Sequence, residues 1–292
     1  AKTLFPYTTL FRSGHFIHIL FDRWTSIQQA VDGYDISGTF VLTGLNESMV
    51  PNDMAEFSHL FIEDEWNHEI YATILQKFTN VHCIKRSRKV LGVQQKAAMT
   101  SLSLRRIKRA LAICYASLAS KLTQDQDAFF LNTYLPYIDE MSLHQRLGQA
   151  PQLWRSVKPI RGIFDISQRQ WILSGDCDTA FECCARSLIP LQLPIIYLES
   201  YAQLVDQTLD LSWPKDPKLI WTSNAFNSDE VFKAWAAEKV EHGTPLVIGQ
   251  HGGLYGVARH SFFEDHEIAI SDNYLTWGWS DSCQPKIKPI GQ

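Results

Sequence analysis

Four glycines, a glutamine, a histidine and a tyrosine fall within the eight residues Gly249-Gln250-His251-Gly252-Gly253-Leu254-Tyr255-Gly256. The segment follows an apolar run at 245–248 and comes before residues able to start a helix. Glycines remove side chains where a ligand could approach the backbone. A strand that ends in a Gly-rich turn and feeds a helix suits phosphate binding, because the helix N-terminus presents free N–H groups. The spacing is neither G-x-G-x-x-G nor a P-loop. His251, neutral or as imidazolium, could hold a phosphate or a charge developing on a leaving group. It could equally be a turn histidine with one structural hydrogen bond. Gln250 could orient the loop or touch a ligand, and Tyr255 could stack on a ring or cover the turn. Gly252, Gly253 and Gly256 are the candidate backbone contacts.

Carboxylates follow at Glu264, Asp265, Glu267 and Asp272. One beside a nucleotide could accept from ribose hydroxyls, with Glu264 and Asp272 the candidates; singly, each also reads as a solvated surface charge. Asp272-Asn273-Tyr274 leads into Trp277-Gly278-Trp279, so a polar pair precedes a strand and aromatic residues, Trp277 first, close it. Asn224 stands in the loop 223–227 after another strand. Asp229 is a first-turn helix acid or, in a retaining transfer, a nucleophile. Asn52, Asp53, Asn67 and His68 form a second group. Asp53 reads as a helix cap or a catalytic carboxylate. His68, on the polar side of an amphipathic helix, would face solvent or an interdomain cleft.

The elements that must position these groups follow from periodicity. Residues 24–31 have helical spacing, 40–42 read as a strand, and Asp53 with Glu56 three residues on marks a helix start. A further helix opens at Glu63-Asp64-Glu65 and runs through Trp66, Ile70 and Ile74. Residues 101–122 read as an amphipathic helix, 128–134 as a buried strand, and 137–147 as a helix closed by Gly148. Residues 168–188 read as helical with a break near Gly175, and Pro190 and Pro194 make 188–197 an irregular linker. Strands at 218–222, 246–248 and 275–277, with a helix at 228–242 closed by Gly243, give the order of a parallel sheet. Such a sheet binds ligands at the carboxyl ends of its strands. Asn224 and His251 are therefore expected at the ends of adjacent strands, facing one cleft.

The chain has 292 residues, 45% of them hydrophobic and 20% charged, as in a globular protein with room for two domains. A net charge of −4 argues against a nucleic-acid partner. The basic runs 85–89 and 105–109 read as solvated helix faces or as contacts to an anionic membrane surface or acceptor. No run approaches the ~20 apolar residues of a membrane span. Six cysteines without a C-x-x-C pair make a zinc site unlikely to form and fit buried thiols in a reducing compartment. Leu4-Phe5-Pro6-Tyr7-Thr8-Thr9-Leu10-Phe11-Arg12-Ser13 reads like a translated sequencing adapter, which sets residues 1–13 outside fold reasoning.

Taken together, Phe232-Lys233-x-Trp235-Ala236, Gln250-His251-Gly252-Gly253-x-Tyr255-Gly256 and Asp272-x-Tyr274-Leu275-x-Trp277-Gly278-Trp279 resemble the LIC-type O-antigen or surface-polysaccharide transferases. Pro51-Asn52-Asp53 and Asp64-Glu65-Trp66-Asn67-His68 match as well. That family is similar to bacterial transferases using CMP-linked 3-deoxy-octulosonic acid. The resemblance implies an α/β, GT-B-like fold of two Rossmann-like domains with parallel sheets, at 14–195 for the acceptor and 196–292 for the nucleotide sugar, truncated at both ends. It implies a CMP-sugar donor, a glycan or lipid-linked glycan acceptor, no metal or other cofactor, and a cytoplasmic site of action, peripheral to the inner face of the membrane. Another cytidine-linked donor, such as a polyol-phosphate, and a non-catalytic carbohydrate- or nucleotide-binding module are the alternatives.

Overall fold

The computed structural model describes residues 4–43, 49–87, 115–116, 118–173 and 175–291, with backbone alone for 4–13. Two compact units interleave along the chain, 12–94 with 160–203, and 1–11 with 95–159 and 204–292. The division therefore departs from a boundary at 195/196. Its physical cause is strand pairing: residues 129–131 hydrogen-bond to 220–222, so they join the later sheet.

The first unit is mainly helical. It holds α1 (Leu4–Gly33) from residue 12 onward, β1 (Thr39–Thr43), α2 (Met54–Leu60), α3 (Asp64–Phe78) and β2 (Cys83–Ser87). Strands β1 and β2 pair in parallel. Phe16, Leu20 and Trp24 recur every four residues on α1, as Trp66, Ile70 and Ile74 do on α3, and both stripes enter one core with Met54 and Phe57. Asp53 caps α2 by accepting from Glu56 N at 2.8 Å, and Glu56 Oε2 accepts from Asn52 N at 2.5 Å, one residue before the cap, a variant of the capping box. The expected linker at 188–197 is ordered structure instead. One helix, Ala180–Gln192, runs through Pro190, and Pro194 caps Ile195–Leu198. Arg169 closes the end of that helix, donating to the carbonyls of Pro190 and Leu193 at 3.1 and 2.8 Å, where helical N–H partners are lacking. The basic run at 85–89 is not helical where it is described: Lys85, Arg86 and Ser87 close β2, with Arg86 over the Phe40 ring. The run 105–109 and most of the helix read at 101–122 lie outside the described residues.

The second unit is a five-stranded parallel sheet, β3 (Phe129–Leu131), β4 (Ile220–Thr222), β5 (Leu246–Gly249), β6 (Asn273–Trp277) and β7 (Ile287–Ile290), ordered as in the chain. Strand β7 carries no signal that the sequence reading used. Register places Phe129, Ile220 and Leu246 side by side, with Ile248 beside Tyr274. These residues are buried, whereas Trp221, Val247, Asn273 and Leu275, alternating with them, are half-buried. One face is thus the core face. There Phe129 meets Trp154, Trp213 and Trp235 at centroid distances of 4.7, 4.7 and 4.5 Å. Trp235 comes from the helix Glu230–Glu241, which Gly243 ends with φ +99°.

Candidate functional site

Because all five strands are parallel, their carboxyl ends share one edge, and the connections after β3, β4, β5 and β6 gather there. After β3 the backbone turns through two left-handed non-glycine residues, Asn132 (φ 53°) and Tyr134 (φ 61°). This projects the Tyr134 ring outward, 63% exposed. Asn224, two residues beyond β4, donates from Nδ2 to the Tyr134 hydroxyl at 2.8 Å. His251, two residues beyond β5, lies nearly parallel to the same ring, 6.3 Å between centroids at 26°. Asn224 and His251 thus end adjacent parallel strands and meet through Tyr134, as expected of that edge.

The turn that carries His251 is held from within. Gln250 is buried, and its Oε1 accepts from Trp277 N at 3.0 Å and from Trp279 Nε1 at 2.9 Å, while Nε2 donates to Gly252 O at 2.8 Å. Of its two readings, orienting the loop is the one the contacts occupy. Gly256 has φ +72°, and a Cβ there would meet the Trp279 ring at 2.7 Å. A Cβ on Gly252 would meet the Tyr255 ring at 2.8 Å, while Gly253 faces open space. So the protein's own rings fill two of the glycine positions read as backbone contacts. The next helix, Phe262–Ile270, starts later than the sequence implied, and Ser261 already caps it by accepting from Glu264 N.

Beneath His251 lies a buried acid. Glu267 is fully buried on that helix, and accepts from Tyr255 Oη at 2.7 Å on Oε1 and from Tyr274 Oη at 3.0 Å on Oε2. His251 Nδ1 stands 3.7 Å from Oε1. Burial raises Glu267 to a pKa of about 8, against the opposing pull of the two tyrosine hydroxyls. Burial lowers His251 and raises Tyr255. Glu264, expected at ribose, is buried instead and accepts from Gly256 N at 2.8 Å, which pins the turn; burial raises its pKa as well.

The remaining candidates lie elsewhere or are otherwise engaged. Asp272 is at the opposite, amino end of β6, where its Oδ2 accepts from Leu246 N at 2.9 Å; being away from the loop edge, it is not a partner of His251. Trp277 ends β6 on the loop edge, 39% exposed. Asp229 caps the helix Glu230–Glu241 through Phe232 N at 2.9 Å, and burial raises its pKa. Asp53 is the α2 cap described above. His68 is half-buried, and its Nε2 is engaged locally, accepting from Leu42 N at 2.8 Å on β1. That backbone N–H points away from β2, so the histidine completes the strand's free edge. Asn67 in turn accepts from Arg23 Nε at 2.8 Å. Among the described residues, no group of three or more His, Cys, Asp or Glu could hold a metal ion.

The sequence reading did not select Tyr134, Glu267, Tyr274 or Trp279. Glu267 had a usable signal: it lies three residues after Glu264 and three before Ile270, on the buried stripe of its helix. Tyr134 had none, since its role depends on β3 pairing with β4.

A parallel α/β sheet with a His-bearing turn at its carboxyl edge is the setting in which a family match carries weight. A protein-family model described as LIC12162 family transferase matches residues 12–292. The chain belongs to the LIC12162 family of transferases. No curated protein matches it. No solved structure matches it. No helix of the described residues is long and apolar enough to cross a membrane.

Proposed function

We propose that this transferase moves a sugar from a CMP-activated donor to a surface-polysaccharide precursor, as a GT-B-like glycosyltransferase. The observation that carries the reading is the convergence of Tyr134, Asn224 and His251 on one loop edge. His251 supplies a directional donor for the phosphate that leaves with cytidine. The exposed Tyr134 ring offers a face for the base or the sugar, and the Asn224 amide sits within reach of the same ligand. The acceptor is a glycan or lipid-linked glycan, and the reaction needs no metal, because the charge on the leaving phosphate is met by polar side chains. Membrane association is peripheral.

Glycosyl transfer and CMP-sugar titration test this on the wild type and His251→Ala. The substitution lowers turnover about 10²-fold, the scale of losing one charge-stabilising donor. The fold survives, because His251 is a loop residue outside the core. Unchanged turnover with unchanged affinity removes His251 from the reaction. CDP-linked polyols in the same titration separate the sugar donor from a polyol-phosphate donor, and affinity without transfer to any glycan acceptor indicates a binding module.

A further inference from the structure

The buried acid under His251 is more than packing. Among the described residues, the one basic side chain within 4 Å of a Glu267 oxygen is His251, its Nδ1 3.7 Å from Oε1. Two aromatic hydroxyls bond Glu267, Tyr255 from the turn and Tyr274 from β6, and the Tyr134 ring from the β3 loop lies beside His251. Glu264, on the same helix, is the nearby second acid. The Tyr255 hydroxyl lies 2.7 Å from Glu267 and 3.4 to 3.5 Å from the two imidazole nitrogens. It therefore stands between acid and base, with contact to both.

We propose that His251, Tyr255 and Glu267 act as one proton-sharing unit, in which the proton held at Glu267 reaches His251 through the Tyr255 hydroxyl when an anion docks at the imidazole. This rests on the reading that His251 meets the donor phosphate. The 2.7 Å contact holds one proton, which Tyr255 donates when Glu267 is a carboxylate; in the resting unit Glu267 is instead the neutral acid, so it donates to Tyr255, and the Tyr255 O–H turns towards His251. On docking, the Glu267 O–H bond breaks and a new O–H bond forms at Tyr255. The former Tyr255 O–H bond breaks in turn, and an N–H bond forms at His251. The products are a carboxylate and an imidazolium, and no proton is taken from solvent. Glu267, deep below the edge, is a positioning residue: it sets the charge of the group that meets the ligand.

Burial favours the uncharged forms of both end groups, with Glu267 raised to about 8 and His251 lowered, so the resting pair is neutral at pH 7. A phosphate beside the imidazole reverses the preference, because an opposite charge within a few ångströms stabilises imidazolium. The Tyr255 hydroxyl stands 3.4 Å from Nε2 and 3.5 Å from Nδ1 of His251, a long contact shared between the two nitrogens. Such contacts shorten when a ligand completes the site.

Two measurements on the full chain test the unit. Infrared spectra at pH 7 should show a protonated carboxyl band that disappears in Glu267→Gln; a wild type without that band overturns the proposal. Calorimetry of CMP binding in buffers of different ionisation heat then counts protons. Wild type should take up none from the buffer, while Glu267→Gln, having no proton to pass, should take up one or bind about 10-fold more weakly, the scale of losing an orienting partner of a functional histidine. Equal uptake and equal affinity in the two proteins overturn the proposal. Should Glu267→Gln not fold, Tyr255→Phe decides: it keeps the carboxyl band but, with the path cut, draws a proton from the buffer. If CMP binds neither protein, the donor assignment fails and the docking step falls with it, while the infrared band still shows separately whether Glu267 holds the resting proton.

Discussion

Tyr134 shows how a single residue can be placed for use at a cost. A left-handed backbone costs a non-glycine residue of order 1 kcal/mol, and the ring it presents is 63% exposed, so little burial offsets it. Tyr134→Ala should therefore leave thermal stability within about 1 kcal/mol of wild type yet weaken CMP binding by roughly 10-fold, the loss of one stacked ring. A melt and a CMP titration on the same preparation check both halves. Glu267 gives a second prediction, with the opposite emphasis. Its carboxyl is held near 8 in the folded chain against an ordinary value of 4.5. The folded state then binds the extra proton between those values, so stability falls as pH rises from 4.5 to 8, by up to about 1.4 kcal/mol per pH unit. Denaturant unfolding across that range should show a flatter profile in Glu267→Gln. Such residue roles were unevenly legible. Asp53 and Glu56 could be read as a cap because a capping box is local in sequence. Glu267 stood in a row of four acids; its spacing from Glu264 and Ile270 marks the buried stripe, and the fold adds the two tyrosines that seal it.

At the scale of elements, the structure turns on polar side chains that finish backbone hydrogen bonding. His68 serves the free edge of β1 by accepting from Leu42 N. His68→Leu should cost about 1–3 kcal/mol for the stranded N–H, and His68→Gln, which keeps an acceptor, should recover part of it in thermal melts. Arg169 does the same for the helix Ala180–Gln192, while pairing with Glu199 at 2.6 Å, both side chains buried. Arg169→Met leaves Glu199 charged and unpaired in the interior, and chemical denaturation should register a loss of about 3–5 kcal/mol. These elements were only half visible beforehand. Pro190 and Pro194 read as an irregular linker, and Arg169, which donates to the Pro190 carbonyl and so closes the helix, lies 21 positions away. The turn at 250–256 was visible because its glycines lie together, but the rings that fill Gly252 and Gly256 come into view only with the chain folded.

For the whole molecule, the five-stranded sheet adds its strands in chain order, but not at an even pace. Between Leu131 and Ile220 lie 88 residues, which include residues 160–203 of the other unit. The division of the chain was illegible for this reason: two strands that are neighbours in space are far apart in sequence. The same gap sets a timetable on the ribosome. At about 5–20 residues per second, β3 waits roughly 4–18 s for its first partner. During that interval Phe129-Phe130-Leu131, buried at every position once folded, has neither edge covered. Nascent chains halted before residue 220 should be the sticky ones, recovered with chaperones or in the pellet, while chains halted after β5 stay in the supernatant. The cradle that holds His251 is complete only once Trp279 has emerged, after β3, β4 and β5, so its assembly is a matter of order of birth as much as of contacts.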